Sequence, residues 1–286
     1  MGAELAARSS IAKDLFSTAA EILGYDLLDL CTNGPVEKLN RTEFGQPALF
    51  VHSYAALKQL EHEQPDLWSD VACVAGLSLG EYTAVAAAGG LSFEDGVKLV
   101  QIRGRAMQEA ADTSPSGMAS VIGLAADQLR EICSQASEEA EFVKVANLLC
   151  PGNIAISGHL AAIDRAATLC SEAGAMKVVR LQVAGAFHTS IMAPAIETLQ
   201  AAVDSMDFSD TSVPVYSNVD ALPHVSPEQI CDLLARQVVA PVLWEDSLRN
   251  MIQAGVEQFI ELGAGRVLAG TLKRVKRKMP CQSIGS

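Results

Sequence analysis

Three residues in this sequence have types and settings suited to nucleophilic chemistry: Ser78, His188 and Arg103. Ser78 lies in Gly76-Leu77-Ser78-Leu79-Gly80, between a run of small apolar residues and a helix-forming stretch. A serine on a sharp strand-to-helix turn, with flanking glycines that remove steric conflict, is the nucleophile elbow G-x-S-x-G. Such a turn aims the hydroxyl away from the sheet and leaves the Leu79 N–H, at the helix start, for a developing oxyanion. The same residues fit a glycine-bounded turn whose serine caps a helix, and the motif alone leaves both readings open.

A serine needs a base before it is nucleophilic. Of the five histidines, His52 sits in a helical stretch, His62 in polar surroundings, His159 at a strand end and His224 in a loop. His188 follows the strand pattern "VVRLQV" and "AGAF" and directly precedes a helix, the kind of junction where α/β folds collect functional side chains. No acidic residue lies beside it, so a Ser-His pair oriented by a backbone carbonyl and a full Ser-His-Asp triad both remain open.

Arg103 falls in a helical column with Leu99 and Met107, beside an apolar stripe of Phe93, Val97, Val100 and Ala111. A semi-buried guanidinium there calls for an anion. A structural ion pair or a side chain reaching out to solvent fits the spacing too. Gly104, nearer the middle of the face, invites close approach by another element. Gly263 and Gly265 stand in a strand–turn–helix pattern near the C-terminus, but their spacing is wrong for a dinucleotide fingerprint and no P-loop lysine follows. They read mainly as a tight connection, with a contact to an anionic cofactor phosphate unsupported.

These residues need a scaffold, and 286 residues with 49% hydrophobic content suffice for one large domain or a main domain with an insert. Aromatics at 5% and a net charge of −13 argue against nucleic-acid stacking and anionic-membrane binding. The local exception is a basic cluster, Lys273, Arg274, Lys276, Arg277 and Lys278. Seven scattered cysteines without a C-x-x-C pair point away from a disulfide framework or zinc site and toward a reducing compartment. No membrane-length apolar run or signal-peptide core is visible, so a soluble, cytoplasmic chain is expected; an organelle stays open if a targeting segment is missing.

Helices are predicted at 10–23, 47–62, 80–88, 93–111, 191–205, 227–237, 244–254 and 266–277, with strands at 71–76, 213–218 and 256–262. Alternation of this kind predicts an α/β fold with a mainly parallel sheet. Between them the order β-α-β-β-α-β, with helices at 126–138 and 160–173, is the ferredoxin-like pattern. It predicts a small inserted subdomain at 117–185 within a large α/β catalytic subdomain formed by 1–116 and 186–286, with the site in the cleft between them.

Several segments, taken in order, resemble the malonyl-CoA:acyl-carrier-protein transacylase family over nearly the whole chain. They are "GYDLLDLCTNGPVEKLNRTEFGQPALFVHSYAAL", "GLSLGEYTAVAAAGGLSFEDGVKLVQIRGRAMQ", "GAFHTSIMAPA", "VPVYSNVDA", "LLARQVVAPVLWEDS" and "FIELGAGRVLAGTLKR". The resemblance implies an α/β-hydrolase-like domain with the ferredoxin-like insert. It implies that Ser78 is the acylated nucleophile, His188 its base, Arg103 the partner of the malonyl carboxylate and Leu79 an oxyanion donor. It further implies that the backbone at Gln237 orients the histidine, that Asn218 lies near the site, and that Phe187 marks malonyl over methylmalonyl selectivity. Malonyl-CoA and acyl carrier protein are the implied partners, the basic cluster facing the carrier, with no cofactor and no metal.

Three departures bear on this. The family's opening strand and G-Q-G-x-Q loop, whose glutamine supplies a second oxyanion N–H, do not precede "MGAELAA"; the Met-Gly resembles the G-M-G after that loop, so an upstream segment is expected. A missing donor of this kind is worth roughly 3–4 kcal/mol. Leu77 stands where histidine is common, and Leu149 replaces an asparagine, although Asn147 is kept. Two other functions remain open: a serine esterase or thioesterase, which G-x-S-x-G alone allows, and a carrier-binding protein with impaired catalysis.

Overall fold

The computed structural model describes residues 2–285, so Met1 of the Met-Gly resemblance lies outside the described residues. Helices form close to where apolar periodicity places them: Ser10–Leu23, Leu79–Ala87, Phe93–Asp112, Pro194–Asp204, Pro227–Gln237, Trp244–Gln253 and Val267–Val275. The helix predicted from 47 begins five residues earlier, at Thr42–Glu63, with Pro47 inside it, where the proline has no N–H to donate to the Glu43 carbonyl one turn back. Ala3–Arg8, Leu27–Asn33 and Val36–Leu39 add short helices that the apolar pattern is too brief to reveal. Among the described residues no helix is long and apolar enough to cross a membrane.

The parallel sheet of the larger unit is less continuous than its apolar runs predict. Val74–Ala75 pairs in parallel with Val215–Tyr216, which pairs antiparallel with Pro223–His224. Phe259–Leu262 pairs in parallel with Cys281–Ile284 in a separate sheet. A cleft of about 540 Å³ lies between these pieces, lined by Val74, Ala75, Leu248, Phe259 and Ile260 among others. The stretch predicted as a buried strand at 71–76 therefore shrinks to two residues, both only partly buried.

Residues 116–180 form the second unit. Its four strands run in the order Val143–Cys150, Asn153–His159, Ser116–Ile122, Lys177–Arg180, every neighbour antiparallel. Helices Ala126–Ala136 and Leu160–Glu172 bury Leu129, Ile132, Ile163 and Ala166 against Ala119, Val121 and Ile156. The opposite face, through Met118, Ala146 and Ala155, packs on Phe187, immediately before His188. Period-two alternation thus makes one face a private core and the other a seat for the histidine segment.

Two helices set the floor of the larger unit. Phe93–Asp112 starts where Ser92 accepts a hydrogen bond from Asp95 N at 3.0 Å, a side-chain N-cap reinforced by acidic residues in the first turn. It crosses Thr42–Glu63 at Gly104, where a Cβ would stand 2.6 Å from Thr42 O. Gly96 makes a second close contact, with a Cβ there 2.3 Å from the Phe50 ring. The crossing brings Gln46 against the column that carries Arg103. Gly104→Val should therefore lower stability by about 1–3 kcal/mol through overpacking, read as a lower denaturation midpoint at unchanged m-value. An unchanged midpoint would show that the crossing can spread at no cost.

Candidate active site

The elbow is built by a backbone collision that only glycine avoids. A Cβ on Gly76 would lie 1.9 Å from Gly80 C and 2.0 Å from Gly80 O, so the incoming chain passes directly against the first turn of the helix. Gly80 differs from the sequence expectation: a Cβ there meets nothing within 4 Å and its φ is not positive. Its position borders the 540 Å³ cleft, which runs behind the elbow and touches Gly76 and Gly80 but not Ser78, His188 or Arg103. Ser78 itself has φ 50° and ψ −102°, outside the common basins for a non-glycine residue. Asn218 holds the turn in that geometry, accepting from Ser78 N at 2.6 Å and donating to Gly76 O at 2.7 Å.

His188 is held as firmly. It also has a positive φ, 63°. Its N–H donates to Val238 O at 3.1 Å, while Ser157 Oγ of the small unit donates to Phe187 O at 2.7 Å. The ring lies between two partners: Nδ1 is 2.9 Å from Gln237 O and Nε2 is 3.0 Å from Ser78 Oγ. A carbonyl can only accept, so Nδ1 carries the proton and the Nε2 lone pair faces the serine. The orienting group is a backbone carbonyl rather than a carboxylate. Burial, assisted by the nearby Arg103 charge and opposed by the Gln237 hydrogen bond, pushes the imidazole down to about 4. It is therefore neutral and able to accept a proton at neutral pH.

Arg103 is more deeply buried than its place at the edge of an apolar stripe predicts, with 1% of its surface exposed. Nη1 donates to Gln46 Oε1 at 2.6 Å, and Nη2 donates to Ser78 Oγ at 3.0 Å and to Gln237 Oε1 at 2.8 Å. The guanidinium also lies over the Tyr82 ring, 4.9 Å from its centroid, and Tyr82 OH donates to Leu234 O at 2.9 Å. Neutral amides and an aromatic face take the place of water around the cation. Arg103 Nε has no hydrogen-bond partner among the described residues.

Spacing does not single out Gln46, Glu81 or Tyr82, yet all three belong to this cluster. Glu81 accepts from Gln237 Nε2 at 2.6 Å and from Asn218 N at 3.2 Å. The one sequence signal for it is a carboxylate in the first turn after the elbow, which reads equally as an ordinary N-terminal acid. Asn218 and Gln237 turn their amides toward the elbow and Arg103, so both act on the site's own groups. Leu79 opens its helix and has no intrahelical acceptor for its N–H. Phe187 is partly buried between the two units' cores.

The remaining candidates lie elsewhere. His52 Nε2 bonds Gly285 O, His159 contacts Phe142 and His224 pairs with Asp220. After the turn at Gly263 and Gly265, Glu261 accepts from Leu268 N at 2.8 Å and Ala269 N at 3.1 Å, so a side chain of the protein already takes two N–H groups at the start of the following helix. Lys273, Arg274, Lys276, Arg277 and Lys278 are all exposed, with Arg274 donating to Pro151 O at 3.1 Å across the two units.

A serine on a strained elbow, a neutral histidine at hydrogen-bond distance and a buried arginine on the same hydroxyl are the parts of a serine acyl-transfer site. The Acyl transferase domain family matches residues 1–286, and the chain belongs to that family. It is 40% identical over 281 residues to the malonyl CoA-acyl carrier protein transacylase of Bacillus subtilis (strain 168), covering 98% of this chain and 87% of that protein. The solved malonyl CoA-acyl carrier protein transacylase from Coxiella burnetii superposes with a TM-score of 0.95 at 35% identity, covering 100% of this chain and 89% of that one. A malonyl-transacylase solved in complex with its type II PKS acyl-carrier protein also gives 0.95, at 33% identity, with 100% and 91% covered.

The steric difference between the two elbow glycines is directly testable. Gly76→Ala should cost more than about 3 kcal/mol or prevent folding, whereas Gly80→Ala should fold with stability equal to or above wild type, since alanine is the better helix former. Denaturant melts of both variants check this, and equal losses would show that the Gly76–Gly80 contact does not govern the turn.

Proposed function

We propose that this protein transfers the malonyl group of malonyl-CoA to the pantetheine thiol of acyl carrier protein, for fatty acid synthesis. His188 Nε2 takes the Ser78 proton as Oγ attacks the thioester carbonyl. The oxyanion forms at the Leu79 N–H. The C–S bond then breaks, and the leaving CoA sulfur takes the proton from His188. In the second half the carrier thiol gives its proton to His188 and attacks the malonyl-serine ester, and Ser78 leaves as the hydroxyl, recovering that proton. Every step is a proton or acyl transfer between named groups, so no cofactor enters the scheme.

The observation that carries this reading is Arg103, buried and 3.0 Å from the nucleophile oxygen. An ester of Ser78 that ends in a carboxylate places that anion within reach of the guanidinium, and charge-assisted bonding of this kind is strong in a dry site. Acetyl groups lack the carboxylate. The exposed cluster from Lys273 to Lys278 suits an acidic carrier protein. Seven scattered cysteines without a C-x-x-C pair suit a cytoplasmic setting.

Intact-protein mass spectrometry after exposure to malonyl-CoA should show one malonyl adduct on wild type and none on Ser78→Ala; a wild-type chain that stays unmodified would overturn the assignment. Arg103→Ala should lower acylation by malonyl-CoA on the order of 100-fold more than acylation by acetyl-CoA. Comparing the two substrates on one variant cancels any common loss of folded protein, and equal losses would remove the carboxylate role.

A further inference from the structure

Arg103 is a buried cation whose three hydrogen-bond acceptors, Gln46, Ser78 and Gln237, are all neutral. It takes part in none of the ion pairs formed among the described residues. A buried carboxylate nevertheless belongs to the same network. Glu81 is 2% exposed, and a single amide separates it from the guanidinium. Gln237 Oε1 accepts from Arg103 Nη2 at 2.8 Å while Gln237 Nε2 donates to Glu81 Oε2 at 2.6 Å. The amide dipole is thus oriented by charge at both ends, positive at its oxygen and negative at its nitrogen.

We propose that Glu81 is the resting counter-ion of Arg103 across the Gln237 amide, and that an acyl group bearing a carboxylate enters together with one proton, which Glu81 takes up. The inference rests on the acyl-transfer reading above and adds to it how the site keeps its charge balanced. When a second carboxylate reaches Arg103, two buried anions share one cation, and one must be neutralised or the complex bears the cost of an uncompensated charge. Glu81 is the group able to yield. Burial holds its carboxyl up to about 7 against the hydrogen bonds from Gln237, Asn218 and Ser217 and the pull of Arg103. The balance is substrate carboxylate plus a solvent proton in, Glu81 carboxylate converted to carboxylic acid, and no change in the net charge of the core.

The surrounding groups do not compete for that proton near neutrality. His188 is pushed down to about 4 and Tyr82, on Glu81's own helix, up to about 12, each mainly by burial, so both stay neutral. Arg103 stays charged. Asn218 and Ser217 from the opposing segment and Gln237 from the helix Pro227–Gln237 are polar and uncharged. Glu81 is therefore the titrating member of the cluster between about pH 5 and 9.

The sign of the pH effect follows. Below the Glu81 pKa the residue is already protonated and a carboxylate substrate meets no competing anion. Above it the substrate must draw a proton from an increasingly alkaline solution. Wild-type acylation of Ser78 should accordingly favour malonyl-CoA over acetyl-CoA more strongly at about pH 6 than at about pH 8.5. The ratio should change on the order of tenfold for a one-unit rise of the Glu81 pKa on substrate entry.

The experiment is that rate ratio, measured by quenched-flow mass spectrometry across this range on wild type and on Glu81→Gln. The variant should give a ratio that does not vary with pH and stays at the wild-type acid-side level. A role confined to packing predicts parallel pH curves for the two proteins. Proton uptake provides a second readout that needs only wild type: with a pH indicator in weak buffer near pH 7.5, the same one-unit rise means that malonyl-CoA should consume about half a proton per serine acylated beyond an acetyl-CoA control. A wild-type ratio that is flat with pH, a variant that follows the wild-type curve, or acylation without uptake would each overturn the proposal while leaving acyl transfer intact. Failure of malonyl-CoA to acylate Ser78 at all would instead sink the acyl-transfer reading and this inference with it.

Discussion

Gln237 is the joint on which the site depends. Its backbone oxygen receives the Nδ1 proton of His188, and its side chain accepts from Arg103 while donating to Ser78 O and to Glu81. Position explains the first bond. Gln237 ends the helix Pro227–Gln237, where backbone carbonyls run out of intrahelical donors and must find others. Ala240 N and the imidazole satisfy that oxygen together. Full burial explains the rest, because in a low-dielectric interior an amide with every polar atom paired is rigid, and one with a missing partner is costly.

Both members of the Ser-His pair are held in unusual backbone conformations, with φ of 50° at Ser78 and 63° at His188. Strain of this kind persists only where the surroundings over-determine it. Asn218 supplies that constraint at the elbow by bridging Ser78 N and Gly76 O. At the histidine the constraint comes from two directions: Val238 O from the larger unit and Ser157 from the smaller one. The smaller sheet also pairs with the segment after Gln237, through Leu148 N to Val242 O at 2.9 Å and Val242 N to Ala146 O at 2.8 Å. Its place in the architecture is that of a clamp on the two loops that carry His188 and the Gln237 carbonyl.

The buried guanidinium is solvated without a carboxylate in direct contact. Two glutamine oxygens, a hydroxyl and the Tyr82 face solvate it with partners weaker than a carboxylate. Glu81 stands one amide further away, near enough to offset the charge and too far to occupy the same donors.

Much of the framework was legible along the chain. Apolar period placed most long helices within a few residues, and the β-α-β-β-α-β order matches the four-stranded antiparallel sheet. Ser78, His188 and Arg103 could be picked out as candidates because each sits at a local junction or stripe. Strand lengths in the larger unit were not legible, since an apolar run does not say whether a neighbour lies alongside it. Nor were the depth of Arg103 burial, the open space at Gly80, or the membership of Gln46, Glu81 and Tyr82 in one network. Their partners are remote: Ser78 meets His188 across 110 positions and Gln237 across 159. Periodicity and turn chemistry act over a few residues, so they write the elements into the sequence; which carbonyl, amide or carboxylate faces a given side chain is decided only when those elements pack.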